Sequence, residues 1–406
     1  MTTAVWFGAI PEGWDAVPLY GIASERKIPN KGLRETNLLS LSYGRIVRKD
    51  IDTSEGLLPA SFETYQIVRP DDIVLRMTDL QNDQRSLRSA LVGETGIITS
   101  AYLALALRNV DPRFMAYQFR AIDLMKVFYS MGGGLRQAIG FGDLKRLPVL
   151  TPPLEEQRAV ADYLDRETGQ IDAFIAKNED LITLLTERRA SVLRAAMGEG
   201  SSQMRLRQVL TVAQTGPFGT QLSASEYIDD GVPVINPSHI VAGVIAHDSG
   251  VSVSVERAGE LSRFRLSPDD IVLGRKGEVD KAALVDEESD GYLCGSDSMM
   301  LRPSKSIVHP KYLWWFLQSP PAHEQLERFA VGSTVVGLNQ RTLRVVQLPV
   351  PSLEEQKGIT ADLNRATAAI GSAMSVAKRS VELARERRAA LISAAVTGKI
   401  DVGVAA

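Results

Sequence analysis

The sequence predicts an α+β protein in which two mixed domains of strands and short helices alternate with two long helices. The main observation is a tandem repeat. Leu154-Glu155-Glu156-Gln157 returns 199 residues later as Leu353-Glu354-Glu355-Gln356. Further upstream, Pro70-Asp71-Asp72 returns 198 residues later as Pro268-Asp269-Asp270. Chance rarely gives several matches at one offset, so the chain is a duplication of a unit about half its length.

The first part of each repeat has the pattern of short strands joined by turns. Apolar runs such as Ile73-Val74-Leu75, Gly96-Ile97-Ile98 and Val232-Pro233-Val234-Ile235 are separated by glycine, proline, asparagine and aspartate. We expect short helices near residues 113–129 and 309–318. These features predict mixed domains over residues 1–150 and 201–350.

The second part of each repeat predicts one long helix, over residues 151–200 and again over 351–406. No proline occurs in 154–200 or in 353–406. Prolines precede each helix and glutamates follow in its first turn, where the helix dipole favours them. Apolar residues recur at spacings of three and four, and we expect them to form the contact stripe. In the first helix this stripe is Val160, Leu164, Ile171, Phe174, Leu181, Leu185 and Val192.

The two stripes are complementary in size, which favours pairing of the helices. By repeat position, Phe174 faces Ala373 and Leu185 faces Ala384. Large side chains opposite small ones suit a coiled coil, and an antiparallel pair buries two equal stripes best. We therefore predict an antiparallel coiled coil between domains in a pseudo-two-fold arrangement. Two independent amphipathic surface helices are the alternative.

Composition limits the classes of protein to which the chain can belong. With one cysteine, Cys294, no disulfide or multi-thiolate metal site forms within the chain, which suits a reducing cytoplasm. The first residues lack a signal-peptide pattern, and no apolar run reaches about 18 residues, so we expect no membrane association. The net charge of −3 argues against a general polycation but allows a local basic surface.

The sequence contains only partial matches to known catalytic motifs. Asn236-Pro237-Ser238-His239 lacks the second proline and the aromatic residue of an adenine methyltransferase tetrad. Gly132-Gly133-Gly134 lacks the lysine of a phosphate loop. The four histidines show no metal-ligand spacing. We therefore expect no catalytic site, no cofactor and no bound metal.

Two acidic pairs, Asp71-Asp72 and Asp269-Asp270, are the remaining candidates for a metal site. Each follows a proline and precedes an apolar run. That context favours a turn over a metal site, because aspartate after proline is typical of turns.

With these features, the sequence resembles the specificity subunits of type I restriction-modification systems. Each long helix follows a Pro-x-Leu-Glu-Glu-Gln type of segment, and the second domain opens with Gly216-Pro217-Phe218-Gly219-Thr220 and closes with Gly332-Ser333-Thr334. The first domain opens with Ile10-Pro11-Glu12-Gly13-Trp14, as in the family, but its closing loop is Gly133-Gly134-Leu135-Arg136. The resemblance covers essentially the whole chain.

The resemblance implies a DNA-recognition subunit that is not itself an enzyme. Each mixed domain would be a target-recognition domain reading a few base pairs of double-stranded DNA. Because the two domains differ, the target would be asymmetric and bipartite, with an unread spacer whose length the helices set. Modification subunits, two per chain, would supply the methyltransferase chemistry and bind S-adenosylmethionine, and restriction subunits would join them.

Candidate DNA-contacting residues follow from side-chain chemistry and repeat position. Arginine, lysine, amide and hydroxyl side chains read base edges or hold phosphates, and loops at strand ends present them. Taken singly, each candidate is equally well an ordinary solvated loop residue. The first-domain candidates are Ser42, Tyr43, Arg76, Thr78, Arg136 and Gln137. The second-domain candidates are Phe218, Thr220, Gln221, Asn236, Ser238, His239, Arg275, Lys276, Ser333, Thr334, Asn339, Gln340 and Arg341.

A function of another class remains open on the sequence alone. Two divergent domains on a coiled-coil spacer also suit a non-catalytic scaffold that binds only proteins. Sequence-specific DNA binding in the presence of the modification subunit separates the two readings. A nicking nuclease ranks behind both, because the sequence offers no candidate metal cluster.

Overall fold

The computed structural model describes residues 6–51, 61–80, 83, 86–131, 138–197, 202–275, 281–329, 343 and 345–402. It divides the chain into two units. Unit 1 comprises Met1–Glu179 with Arg379–Ala406, and unit 2 comprises Asp180–Lys378. Each long helix therefore begins in one unit and ends in the other.

Unit 1 contains ten strands and two short helices besides its parts of the long helices, counted over the described residues. Its strands are β1 (Asp15–Pro18), β2 (Ala23–Glu25), β3 (Leu39–Ser42), β4 (Arg45–Arg48), β5 (Gln66–Val68), β6 (Ile73–Leu75), β7 (Ser89–Leu91), β8 (Gly96–Ile98), β9 (Leu103–Leu107) and β10 (Pro148–Thr151). Its helices are α1 (Pro112–Leu124) and α2 (Phe141–Leu144), followed by the start of the first long helix, α3 (Leu154–Ala196).

The main sheet of unit 1 is antiparallel, in the order β2-β9-β6-β7. Its side chains alternate between two faces, as a strand period of two requires. Ile73 and Leu75 belong to the core that α1 completes with Phe114 and Phe119. Val74 lies in a second core, on the face where β3 and β5 pack. Smaller antiparallel pairs join β1 to β10, β3 to β4 and β5 to β8.

Unit 2 repeats this build with eleven strands among its described residues. They are β11 (Gln203–Arg205), β12 (Leu210–Thr215), β13 (Val232–Ile235), β14 (Ile240–Val241), β15 (Val244–Ile245), β16 (Ser252–Val253), β17 (Ile271–Gly274), β18 (Ala282–Leu284), β19 (Leu293–Cys294), β20 (Ser298–Pro303) and β21 (Gln347–Pro349). Its helices are α4 (Leu206–Val209), α5 (Val255–Glu260), α6 (Pro310–Leu317) and α7 (Pro320–Phe329), before the second long helix, α8 (Leu353–Val396).

The main sheet of unit 2 has the same strand order as that of unit 1, β12-β20-β17-β18, and is again antiparallel. Ile271 and Leu273 face a core that α6 completes with Tyr312 and Phe316. Val272 faces a second core on the other side. Strand β13 pairs antiparallel with β16 and parallel with β19. The duplication seen in the sequence is thus a duplication of sheet order and of core.

The two long helices run antiparallel within each unit. In unit 1, Val160 near the start of α3 shares a core with Ile392 near the end of α8. Arg388 of α8 also makes a two-point ion pair with Asp172 of α3, at 2.8 and 3.2 Å. In unit 2, Leu193 near the end of α3 shares a core with Leu363 near the start of α8. The predicted α+β fold with two long antiparallel helices is confirmed.

Part of the predicted contact stripe is wrong. Phe174 and Leu181 were expected in the seam, but they are 48% and 42% exposed. On α8 the buried positions include Ala377, Val381 and Ala384. Small residues bring helices close together, which leaves a narrow seam and keeps large side chains beside it partly in solvent. In the described residues, neither long helix has an apolar stretch of the length needed to cross a membrane.

A buried glutamine explains why Leu-Glu-Glu-Gln recurs. Gln157 accepts a hydrogen bond from the Asp111 N–H at 2.8 Å and donates one to the Pro152 carbonyl at 2.8 Å. In unit 2, Gln356 accepts from the His309 N–H at 2.7 Å and donates to the Pro351 carbonyl at 2.8 Å. Each glutamine thereby joins the start of a long helix to the N-cap residue just before α1 or α6.

The acidic pairs form turns, as the sequence predicted. Asp71 and Asp269 have positive φ angles of 68° and 75°. The Asp72 carboxylate accepts a hydrogen bond from the Arg69 N–H at 2.8 Å, and Asp270 accepts one from the Ser267 N–H at 2.9 Å. Asp72 also pairs with Arg26. The carboxylates of Asp72 and Asp270 therefore accept hydrogen bonds from the backbone of their own turns.

Candidate nucleic-acid interface

Three of the predicted loops in unit 2 meet at one segment, residues 294–298. Gly216 lies so close to it that a Cβ there would overlap the carbonyl oxygen of Gly295, and a Cβ on Gly295 would overlap the Asn236 side chain. The Arg275 N–H donates to the Asp297 carbonyl at 2.8 Å. Glycine is therefore required where these backbones cross. The structure brings together the starts of the loops that carry Phe218, Asn236 and Arg275.

The loop after Gly216 presents two exposed candidates of unit 2. Phe218 is 60% exposed, and Thr220 is exposed as well. Gln221 is half-buried, and its carbonyl accepts a hydrogen bond from Arg257 Nη2 at 2.6 Å. Arg257 is in turn held by Glu226, with Nε 2.8 Å from Oε2. This arginine fixes the base of the loop and leaves its tip free to contact a ligand.

The Asn236–His239 loop is divided between an exposed and a buried part. Ser238 is exposed, whereas His239 is only 8% exposed. The His239 Nδ1 lies 3.1 Å from the Val234 carbonyl and 3.3 Å from the Asn236 N. The Asn236 Oδ1 is buried without a hydrogen-bond partner. These placements favour a loop-holding role for His239 and leave Ser238 as an exposed candidate in this loop.

In unit 1, Ser42 and Tyr43 lie at the tip of the β3–β4 hairpin. Tyr43 and Gly44 both have positive φ angles, 47° and 76°, which is the two-residue turn that suits the twist of a hairpin. Tyr43 is 84% exposed. Arg120 Nη2 donates to the Gly44 carbonyl at 2.7 Å and to the Ser89 carbonyl at 2.6 Å. The tip is therefore fixed to β7 while its aromatic ring is left in solvent.

Arg76 and Thr78 follow β6 in a loop that a buried arginine holds. Arg88 is fully buried, and its guanidinium donates to the carbonyls of Arg76 at 3.0 Å and Thr78 at 2.8 Å. It also donates to the carbonyls of Asp79 and Asp83 and to the Tyr129 hydroxyl. Arg76 and Thr78 themselves are half-buried. Sequence reasoning missed Arg88, because one arginine among short apolar runs shows no pattern.

Eight candidates lie outside the described residues. They are Arg136, Gln137, Lys276, Ser333, Thr334, Asn339, Gln340 and Arg341.

The described loops offer hydrogen-bonding groups and aromatic surface for binding. Cys294 lies buried under the unit 2 loops, and burial raises the pKa of its thiol to about 12. It is therefore a protonated, inert thiol at neutral pH. Among the described residues, no group of three or more His, Cys, Asp or Glu side chains is placed to hold a metal ion. The exposed loop side chains can therefore form hydrogen bonds and aromatic contacts with a ligand.

The chain thus carries one scaffold twice, and each copy presents different loops. Residues 199–372 match the family model described as the type I restriction modification DNA specificity domain. The chain therefore carries that domain, and the resemblance that the sequence indicated is confirmed.

Curated relatives agree with the family model. The specificity subunit of the type I restriction enzyme StySPI from Salmonella potsdam is 26% identical over 218 residues, which cover 52% of this chain and 46% of that protein. The specificity subunit of MjaVIII from Methanocaldococcus jannaschii is 22% identical, covering 83% of this chain and 80% of that protein. The match thus spans about half the length of the first relative and most of the second.

A solved structure shares the fold over nearly the whole chain. It comes from work on complex assembly and conformational transition of the type I R-M system. The TM-score is 0.71 at 16% identity, covering 97% of this chain and 100% of that chain. At this identity the likeness establishes the fold.

Proposed function

We propose that this chain is the DNA-recognition subunit of a type I restriction-modification complex and is not catalytic by itself. It reads an asymmetric bipartite target in double-stranded DNA, one half-site per mixed domain. It directs modification subunits, which methylate adenine, and restriction subunits to that target. The observation that supports this most is one scaffold present twice with different side chains in the exposed loops.

Scaffold contacts are kept between the units while loop residues differ. Gln157 and Gln356 make the same backbone hydrogen bonds. At the hairpin tips, in contrast, Tyr43 in unit 1 corresponds to Ala242 in unit 2. A repeated frame matches the repeated geometry of the duplex, and different loops read different bases. This pattern is what an asymmetric target in two half-sites requires.

We assign the domains accordingly. Residues 1–150 and 201–350 form the two target-recognition domains, and residues 151–200 and 351–406 form the helices that set the spacer between half-sites. We place the complex in the cytoplasm, without membrane association, since its substrate is DNA.

The long helices are the proposed contact for two modification subunits per chain. Leu383 in unit 1 is 48% exposed and Leu184 in unit 2 is 61% exposed. These residues are 199 positions apart and so are equivalent in the repeat. In unit 1, Leu383 lines a groove of about 440 Å³ together with Phe174. Exposed apolar residues repeated on a surface suit two copies of one partner.

Mapping methylated adenines in cells that carry the complete system tests the proposal. The variant Phe218→Ala with Thr220→Ala should relax or abolish reading of one half-site and leave the other unchanged, because both residues lie in a unit 2 loop. Tyr43→Ala with Arg76→Ala should affect only the other half-site. Losing a base contact costs about 1–3 kcal/mol of discrimination.

Arg34→Ala provides the control, since Arg34 is exposed in unit 1 outside the candidate loops. It should leave the methylated motif unchanged. A change in both half-sites from a one-unit variant would contradict the assignment of one domain to one half-site. If the wild-type chain with its modification subunit showed no sequence-specific DNA binding, the scaffold function would replace this proposal.

A further inference from the structure

Unit 1 contains a groove lined by arginines that the proposed DNA contacts do not use. It has a volume of about 680 Å³ and lies between the β3–β4 hairpin, α1 and the paired ends of α3 and α8. The volume is in the range of sites that hold small ligands or a few residues of a peptide. Five arginines line the groove: Arg45, Arg48, Arg113, Arg120 and Arg388.

Three of these arginines have carboxylate partners within unit 1. Arg48 Nε lies 2.7 Å from Glu94 Oε1. Arg113 Nη1 lies 2.7 Å from Asp162 Oδ1 and 2.8 Å from Asp165 Oδ2. Arg388 makes the two-point pair with Asp172 described above.

Arg45 and Arg120 have weaker carboxylate partners: Arg45 shares Asp172 with Arg388, and Arg120 is attracted by the buried Asp123. Arg45 is 74% exposed and lies 3.5 Å from Asp172, which Arg388 already binds. Arg120 donates to two backbone carbonyls, and its buried Nε has no hydrogen-bond partner. Among the residues that line the groove, five arginines therefore accompany two carboxylates, Glu94 and Asp165, and one buried donor of Arg120 is unused.

The excess of charge affects Arg120 itself. Burial lowers the pKa of its guanidinium to about 10; attraction to the Asp123 carboxylate opposes this shift, and repulsion from Arg388 and Arg45 adds to it. An anion placed among these three side chains reverses that repulsion and restores the interaction that burial removes. The groove is thus electrostatically incomplete in the isolated chain.

Unit 2 lacks this arrangement at the equivalent positions. Ala116 of the groove corresponds to Trp314, and Arg120 corresponds to Gln318. Trp314 lies against Gly243 at the tip of the β14–β15 hairpin, and its Nε1 donates to the Ala282 carbonyl at 3.0 Å. In unit 2 an indole lies beside the hairpin glycine, whereas in unit 1 the Arg120 guanidinium lies beside Gly44 and residue 116 is alanine. The shared scaffold therefore does not require the groove.

We propose that the groove binds an acidic segment of a protein partner, with a carboxylate held between Arg45 and Arg120. The partner follows from the proposed function: it is the modification subunit that docks on the helix pair bordering the groove. Apolar side chains beside the arginines, Ile46, Leu91, Ala116 and Ile392, accept a flanking apolar residue of the segment.

The depth of the groove favours a peptide over DNA. Arg388 is only 26% exposed and Arg120 is half-buried, so a narrow ligand that enters the groove reaches their guanidinium groups more readily than a duplex does. The phosphates of a duplex lie on a wide convex surface, and a single extended peptide is much narrower. Arginine forks bind carboxylates through two parallel hydrogen bonds, which suits aspartate or glutamate side chains.

The test measures the affinity of the system's modification subunit for the full chain at low and high salt. Arg45→Gln should weaken binding about three- to tenfold at low salt and much less at high salt, because an exposed charge is screened. Arg120→Met should weaken binding about 30-fold or more, since the arginine is half-buried. Arg34→Gln removes an exposed arginine outside the groove and should have no effect.

A second arm uses defined probes on the full chain. A fluorescein-labelled peptide of alternating glutamate and leucine should bind wild type and be displaced by the modification subunit. Binding of this peptide should be lost in Arg120→Met. If instead a random-sequence DNA duplex or inorganic phosphate displaced the peptide equally well, the groove would be a general anion site and the proposal would be overturned.

Failure of this proposal is distinguishable from failure of the proposed function. If the modification subunit did not bind wild type, the proposed function would fail. If it bound wild type, Arg45→Gln and Arg120→Met equally, only the groove assignment would fail. Arg45→Gln changes an exposed side chain, so it keeps the test valid even if Arg120→Met were unstable.

Discussion

The hydrogen bonds of Gln157 predict a large and local loss of stability in Gln157→Leu. Leucine has nearly the volume and helix propensity of glutamine, so the change mainly removes hydrogen bonds. It leaves the Asp111 N–H and the Pro152 carbonyl without partners beside a side chain that is 3% exposed. An unpaired buried group costs about 1–3 kcal/mol, so two cost about 2–6 kcal/mol.

The assay is thermal or chemical unfolding of the full chain. For a unit of this size, each kcal/mol lowers the melting temperature by about 2–4 °C, so the expected decrease is about 4–24 °C. Gln356→Leu should act similarly in unit 2, because Gln356 is 0% exposed and makes the equivalent contacts. Gln170→Leu is the matched control, since Gln170 is exposed on the same helix as Gln157. Equal stability losses in Gln157→Leu and Gln170→Leu would refute the role assigned to the recurring glutamine.

Three further predictions follow from single residues. Arg88→Met should destabilise the chain by about 3 kcal/mol or more and speed proteolysis in the loop after β6, because it leaves buried carbonyls without hydrogen-bond donors. Arg88→Lys should be destabilised as well, since lysine lacks the forked guanidinium that reaches several carbonyls at once. Asp71→Gly should keep the stability of the chain or raise it by up to about 1 kcal/mol, because glycine adopts the positive φ of 68° at this position more easily than aspartate. A loss of stability in this variant seen only when magnesium is present would instead favour the rejected metal site. Cys294 should resist a disulfide reagent at pH 8 in the folded protein, because a pKa of about 12 leaves about one thiol in ten thousand as thiolate. The contribution of the buried thiol to folding stability should be full below its ordinary pKa of 9.0. It should be lost as the pH rises towards 12, because the unfolded chain releases the thiol proton first. Rapid reaction of native protein would show that the thiol is accessible.

Elements with a local signal were predictable from the sequence. The prolines before Leu154 and Leu353 and the glutamates after them indicated where α3 and α8 begin, and the structure begins both helices there. The Pro-Asp-Asp turns were predictable because proline and a residue with positive φ define a turn within four residues. The antiparallel pairing followed from two equal apolar stripes in a duplicated chain.

Features that depend on distant residues were not predictable. The structural role of Gln157 depends on its hydrogen bond with Asp111, a residue 46 positions away in the sequence. The arginine groove combines residues from 44 to 392, and no window of the sequence shows their proximity. Phe174 was misplaced because its burial depends on how closely α8 approaches, which the periodicity of one helix does not fix.

The groove in unit 1 predicts that the two proposed modification subunits bind unequally. Both would contact the repeated apolar positions Leu184 and Leu383, but in unit 2 Trp314 and Gln318 replace the alanine and arginine of the groove. An acidic segment therefore gains its ion pairs in one unit only, so assembly should occur in two steps, with the tighter step more sensitive to salt. Titration calorimetry at two salt concentrations measures both steps. Arg45→Gln should weaken the tighter step and bring the two affinities together, whereas Arg34→Gln should keep them apart. Two steps of equal affinity and equal salt dependence in wild type would show that the groove plays no part in assembly.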